Sequence, residues 1–242
     1  MSKKNRATDR AARATAAIEE QQREERRRRN LMVGGVVGVL LVIVAVIAAV
    51  TFALDTTEDV DAPAAGSEFG LTIGPADAAR EVVVYEDFHC VHCADFEQRT
   101  SEDLTRLAEE GAVRVEYRPV SFLGEYSTRA ANAFKVVLDE SGPEAAKTFH
   151  DLLFESYDEA SGSEAGLDDD TLVELAVEAG AEEDAVRPGI EGMEQQEWVD
   201  AATGAAQDAG VRGTPTILLD GEVFQDGATT EELAENLLAE LQ

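Results

Sequence analysis

Val82-Val83-Val84-Tyr85-Glu86-Asp87-Phe88-His89-Cys90-Val91-His92-Cys93 is the stretch that decides the fold. Its first half is β-branched and apolar and reads as a buried strand. Its second half holds the only two cysteines among 242 residues. A pair this close closes almost no loop as a disulfide, so it stabilises the fold little. Its value is chemical. The residues that follow read as a helix, which places Cys90 at a helix N-terminus. Backbone N–H groups and the helix dipole there favour a thiolate over a thiol. The stretch therefore reads as a redox-active dithiol set between a strand and a helix.

Downstream, Phe96, Leu104 and Leu107 give the helix its apolar stripe, and Gly111 is its C-cap. Ala112 to Val120 alternates through Val113, Val115 and Tyr117 and reads as a second strand. From about 124 to 210 the pattern turns helical, with stripes at Ala130–Leu138, Phe149–Tyr157 and Leu172–Ala176. Pro188-Gly189 is expected to break or start a helix. Thr216 to Leu219 reads as a strand, Asp220-Gly221 as a hairpin turn, Val223-Phe224 as its return and Thr230 to Leu241 as a closing helix. Thr214-Pro215 puts a proline at a strand entrance, where a cis bond is compatible with the sheet.

Upstream, Phe69 to Ile73 reads as a short strand closed by Gly74-Pro75. Residues 55–68 (DTTEDVDAPAAGSE) are acidic and rich in Ala, Thr and Pro, and read as a linker. Residues 1–30 carry ten Lys/Arg against five acids, and Leu31 to Leu54 is uncharged. As a helix, 24 residues would span roughly 36 Å, enough for a bilayer core. With Arg26–Arg29 abutting it, 31–54 reads as a transmembrane signal anchor. The basic tail 1–30 then lies in the cytoplasm and 55–242 outside it, in a single-pass cell-membrane protein. A cleaved signal peptide, ending near Ala62-Pro63-Ala64, is the competing reading. Its basic and apolar parts would normally be shorter.

Residues 55–242 hold 45 acids against 10 bases. This acidic surface repels phosphate, so no nucleic-acid partner is expected. It reads as an adaptation to a salt-rich exterior, with a plain solubilising face as the alternative.

A CxxC after one strand, a Thr-Pro before a later one and a helical block between them resemble the thioredoxin superfamily. More narrowly, the chain resembles the DsbA-like thiol–disulfide oxidoreductases, including membrane-tethered forms of Gram-positive bacteria. The resemblance covers 69–242. It rests on Tyr85-Glu86-Asp87-Phe88 running into the CxxC, taken with Gly213-Thr214-Pro215-Thr216. It implies an α/β thioredoxin fold: a central mixed sheet flanked by helices, with an inserted helical subdomain at about 124–210, preceded by one transmembrane helix. It also implies that Cys90 is the exposed nucleophile and Cys93 the buried resolving thiol. Val91 and His92 would tune the redox poise, His92 as a cation that lowers the Cys90 pKa. Thr214 and a cis Pro215 would form the substrate-binding loop. The redox group would be the Cys90–Cys93 disulfide itself, with no metal and no dissociable cofactor. Partners would be exported proteins with cysteines and a quinone-linked membrane oxidase that recycles the pair.

Two positions depart from the family pattern. Val84 stands six residues before Cys90, where the family keeps a buried acid, so a proton shuttle to Cys93 has to come from elsewhere, Glu86 or water. Val91 stands where a proline is common. Rival readings are a disulfide reductase or isomerase, for example in cytochrome maturation, and a non-catalytic thioredoxin-like binding module. The second has no need of both cysteines. Zinc is the standing alternative for any CxxC, but His89, His92 and the two cysteines on one helical turn do not aim four ligands at one tetrahedral ion. His89 reads as a surface flank, His150 and Trp198 as structural, and Glu86 and Asp87 as strand-end and cap groups.

Overall fold

A computed structural model describes residues 60, 61, 63, 65–163 and 165–242. The basic tail 1–30 and the apolar run 31–54 lie outside the described residues, as does the start of the linker. Among the described residues no helix is long and apolar enough to cross a membrane.

Strand β2 (Arg80–Glu86) is the axis of the sheet. Val82 and Val84 pack into one cluster, Val83 and Tyr85 into another on the opposite face. A strand covered on both sides needs a continuous apolar run rather than an alternating one. Strand β1 (Leu71–Ile73) lies antiparallel to β3 (Val113–Pro119), and β3 lies parallel to β2, with Val84 beside Tyr117. Strand β4 (Thr216–Leu219) is antiparallel to β2 and continues into β5 (Glu222–Val223). The order across the sheet is β1-β3-β2-β4-β5. Asp220 and Gly221 turn the last hairpin with φ of 53° and 85°. Both values are positive, as the tight primed turn demands.

Helix α1 (Val91–Glu109) covers one face of the sheet with Phe96, Leu104 and Leu107. The chain between β3 and β4 forms α2 (Glu125–Glu155), α3 (Tyr157–Ala160), α4 (Asp169–Glu178), α5 (Glu183–Glu191) and α6 (Gln196–Asp208). The closing helix α7 (Thr230–Glu240) joins α1 on its face through Ala234 and Leu237. Ala206 of α6 covers the other face with Val211.

The helical block has its own core, including Phe88, Phe134, Phe149, Leu153, Phe154, Leu172 and Ile190. Both cysteines belong to that cluster and not to either face of the sheet. Helix α2 bends at Gly142-Pro143, which separates the two apolar stripes seen in the sequence. Pro188-Gly189 differs from expectation and lies inside α5. Gly189 is where α5 meets α2: a Cβ there would come within 3.0 Å of Val136.

The linker also differs from a free tether, for its last residues are docked. Asp61 N–H donates to Ala209 O at 2.9 Å, and Pro63 O accepts from Arg118 Nη2 at 2.8 Å. The Glu116 carboxylate takes Gly66 N–H, Ser67 N–H and Ser67 Oγ–H at 2.7, 3.1 and 2.6 Å. Glu116 and Arg118 are buried, paired at 2.8 Å, and their desolvation is offset by these bonds. The domain therefore opens before Phe69. Acidic, Ala-rich composition hides this because the partners lie about fifty residues away.

Candidate active site

β2 ends at Glu86, and three residues later the chain turns into α1. The turn is held by Asp87, which is fully buried. Its carboxylate accepts from His89 N–H at 2.8 Å, Phe122 N–H at 2.8 Å, Leu123 N–H at 3.1 Å and Ser127 Oγ–H at 2.7 Å. One side chain thus ties the CxxC turn to the β3–α2 loop and to the first turn of α2. Sequence reasoning gave Asp87 only a capping role and missed this clamp. No local signal reports it, since three of its four donors come from 121–127.

Cys90 is the N-cap of α1. Cys90 N–H donates to Asp87 O at 2.9 Å. The thiol reaches Thr214 O at 3.3 Å, a bond that favours the protonated form. Bonds to its sulfur favour the thiolate: first from the Cys93 side chain, then, against burial, from the Thr214 side chain and the backbone N–H groups of Cys93 and His92. The thiolate side wins, and the Cys90 pKa falls from 9.0 to about 6. Cys93 goes the other way: burial, then the neighbouring Cys90 sulfur, holds its thiol well above the ordinary range. Both thiols are free.

Cys90 is 6 % exposed, less than the exposed nucleophile that the resemblance implied, because Thr214 closes over it. Accessibility still separates the pair. Cys90 lines a cleft of about 840 Å³ with His89, Val91, Phe122, Leu123, Tyr157 and Arg212, whereas Cys93 is fully buried and does not line it. Val91 and Leu123, 53 % and 50 % exposed, give the cleft an apolar rim. Thr214 borders the cleft beside Cys90. The Thr214–Pro215 peptide is cis, at the start of β4. The structure therefore brings Cys90, Cys93, Val91 and Thr214-Pro215 together. His92 lines the same cleft; its Nδ1 meets Thr230 Oγ1 at 3.3 Å, and its backbone N–H bonds the Cys90 sulfur. His89 packs edge-on to Tyr126, with ring centroids 5.2 Å apart.

Behind the dithiol is a buried polar group that the sequence did not announce. Glu86 Oε1 meets His150 Nε2 at 2.6 Å, and His150 Nδ1 meets Asp151 Oδ1 at 3.1 Å. Lys147 Nζ reaches Asp151 at 2.6 Å and Ser101 Oγ at 2.8 Å. Burial opposes a charged His150, but the Glu86 carboxylate and the bonds to Asp151 and Glu86 lift it to about 9. Glu97 is raised to about 8 by burial and then by the Glu86 charge. Glu86, Glu97 and His150 each place a ligand-type atom within 4.8 Å of the others. Glu86 and His150 already stand at hydrogen-bonding distance, and the Lys147 ammonium serves the same group. Trp198, read as structural, donates Nε1–H to Glu68 O at 3.0 Å.

The thioredoxin family model matches residues 67–238. No curated protein matches the chain. Among solved structures, it is similar to the reduced disulfide bond oxidoreductase DsbG of Mycobacterium tuberculosis: 28 % identity, 73 % of this chain and 88 % of that one covered, TM-score 0.60. It is also similar to oxidised DsbA of the same organism: 27 % identity, 72 % and 100 % covered, TM-score 0.55. BdbD of Bacillus subtilis, at 22 % identity, 76 % and 99 % covered and TM-score 0.65, shares the fold.

Proposed function

The chain belongs to the thioredoxin family, and on that premise we propose that it is a thiol–disulfide oxidoreductase that introduces disulfides into exported proteins. One observation carries the reading. Of two sulfurs in one helical turn, the one on the cleft wall favours the thiolate and the sealed one favours the thiol. A thiolate of low pKa is a good leaving group, and its stability favours the reduced pair, which makes the disulfide an oxidant.

In the reaction, a substrate thiolate attacks Cys90 Sγ of the disulfide. The Cys90–Cys93 bond breaks, and Cys93 leaves and takes up a proton. A second substrate thiolate then attacks the substrate sulfur of the mixed disulfide, and Cys90 leaves as a thiolate. The substrate loses two electrons and the pair gains them. The apolar rim at Val91 and Leu123 suits an unfolded segment around the substrate cysteine. The uncharged run 31–54 and the basic cluster before it support an anchored domain outside the cytoplasm. Resemblance to DsbA-like proteins supports recycling by a quinone-linked membrane oxidase.

The reduction potential of Cys90–Cys93, measured against glutathione, tests the direction. Oxidants of this fold lie near roughly −120 mV and reductants near roughly −270 mV. A value toward the first is expected, and one at the second would make the protein a reductase.

A further inference from the structure

We propose that Glu86, Glu97 and His150 hold a divalent transition-metal ion, zinc being the ion that their donor set fits best. The site includes neither cysteine, so the inference does not depend on the redox reading above.

Three elements meet at this point. Glu86 ends β2, Glu97 lies in α1 and His150 in the later half of α2. One ligand-type atom of each lies within 4.8 Å of those of the other two. Glu86 and His150 are 0 % exposed and Glu97 is 2 % exposed.

Buried polar atoms require partners. Glu86 Oε1 has one in His150 Nε2 at 2.6 Å. Glu86 Oε2 and both oxygens of Glu97 have none among the described residues. Lys147 Nζ does not supply them, for it is engaged by Asp151 at 2.6 Å and Ser101 at 2.8 Å. Two carboxylates left side by side in a low-dielectric interior repel each other, and a cation between them satisfies both. The charge agrees. The ionisable groups acting on Glu97 are Glu86, His150, Lys147 and Asp151. With the imidazole neutral, as a ligand must be, three carboxylates and one ammonium leave two negative charges, which a divalent ion cancels.

The imidazole is already oriented for the task. His150 Nδ1 meets Asp151 Oδ1 at 3.1 Å, which leaves Nε2 facing Glu86. A carboxylate on the far ring nitrogen is the usual support of a metal-bound histidine. One imidazole and two carboxylates suit zinc, which takes three protein ligands and a water, whereas magnesium and calcium take oxygen alone. A pocket of about 630 Å³, lined by Glu97, Ser101, Glu102, Asp151 and Glu155, gives the ion a way in. Glu97 does not line the substrate cleft, so this route is separate from it. On binding, the ion replaces the proton between Glu86 Oε1 and His150 Nε2, which passes to solvent. It would pin the end of β2, four residues before Cys90, to α1 and α2.

The test titrates the full chain in detergent with zinc chloride, the Cys90–Cys93 disulfide closed so that no thiolate competes. High KCl and excess magnesium suppress loose binding by surface acids. Wild type should take up one zinc per chain, retain it on dialysis and melt at a higher temperature with it. Glu97→Gln, which keeps the shape of the side chain, should bind at least about 100-fold more weakly and lose the melting shift, and Asp151→Asn should bind about 10–100-fold more weakly. No retained zinc on wild type overturns the proposal, as does wild-type affinity in Glu97→Gln. Should Glu97→Gln fail to fold, a chain carrying His89→Gln and His92→Gln decides, since His150 is then its only imidazole. X-ray absorption of its bound zinc should show one imidazole nitrogen with oxygens at about 2.0–2.2 Å; a shell of oxygens alone overturns the proposal.

Discussion

At the scale of single residues, the site works because two identical side chains, three positions apart, hold protons differently. Cys90, lowered to about 6, is a thiolate near neutrality, and Cys93, raised by burial, is not. Iodoacetamide at about pH 7 should therefore label Cys90 and spare Cys93; labelling of Cys93 first would reverse their roles. Cys90→Ser should abolish thiol oxidation, and Cys93→Ala should trap mixed disulfides. The same asymmetry has a thermodynamic face. Between about pH 6 and 9 the folded Cys90 binds fewer protons than the unfolded one, whose pKa is near 9.0. The reduced protein should thus gain stability as pH rises through that window and lose it as pH falls through about 6. Melts of reduced wild type and Cys90→Ser at about pH 5 and 8 check the sign. The increment with pH should be smaller in the variant, and an equal increment would refute it.

At the scale of elements, Pro63, Gly66 and Ser67 are held by one buried ion pair of β3, and Asp61 by Ala209 O. Replacing Arg118 by Met would leave the Glu116 carboxylate buried with only the Gly66 and Ser67 donors. Losing one partner of such a pair costs about 3–5 kcal/mol. Arg118→Met should lower the melting temperature and speed proteolysis within 60–68; an unchanged cleavage rate would show that the segment is held by other contacts. Legibility follows the same line between local and distant. Strand β2 was readable because burial on both faces demands a β-branched run, and the last hairpin because Asp220-Gly221 tolerates positive φ. The CxxC and Thr214-Pro215 were readable as motifs. The Glu86–His150 pair was not, for nothing in either neighbourhood points across 64 residues. Nor were the four donors to Asp87.

At the scale of the whole molecule, acid excess dominates the surface. Arg187 alone meets Asp170, Glu183 and Glu191 at 2.7, 2.8 and 2.7 Å, and few other cations remain to be shared. The Debye length contracts from about 10 Å at 0.1 M salt to about 3 Å at 1 M, so self-repulsion fades as salt rises. The melting temperature of the domain should increase with KCl over that range. A flat or falling curve would mean that the acids are spaced well enough to cost little.

The placement of the sulfurs also constrains what a lineage could discard. Cys90 and Cys93 pack with Phe88, Tyr126, Phe134 and Phe154, in the core of the segment inserted between β3 and β4. An insertion is usually the part that deletion trims first, because the scaffold around it closes without it. Here pruning that stops short of α6 would leave Ala206 on its face of the sheet and strip the bed from beneath both thiols. Descendants shortened between 125 and 191 should lose their chemistry before they lose the sheet.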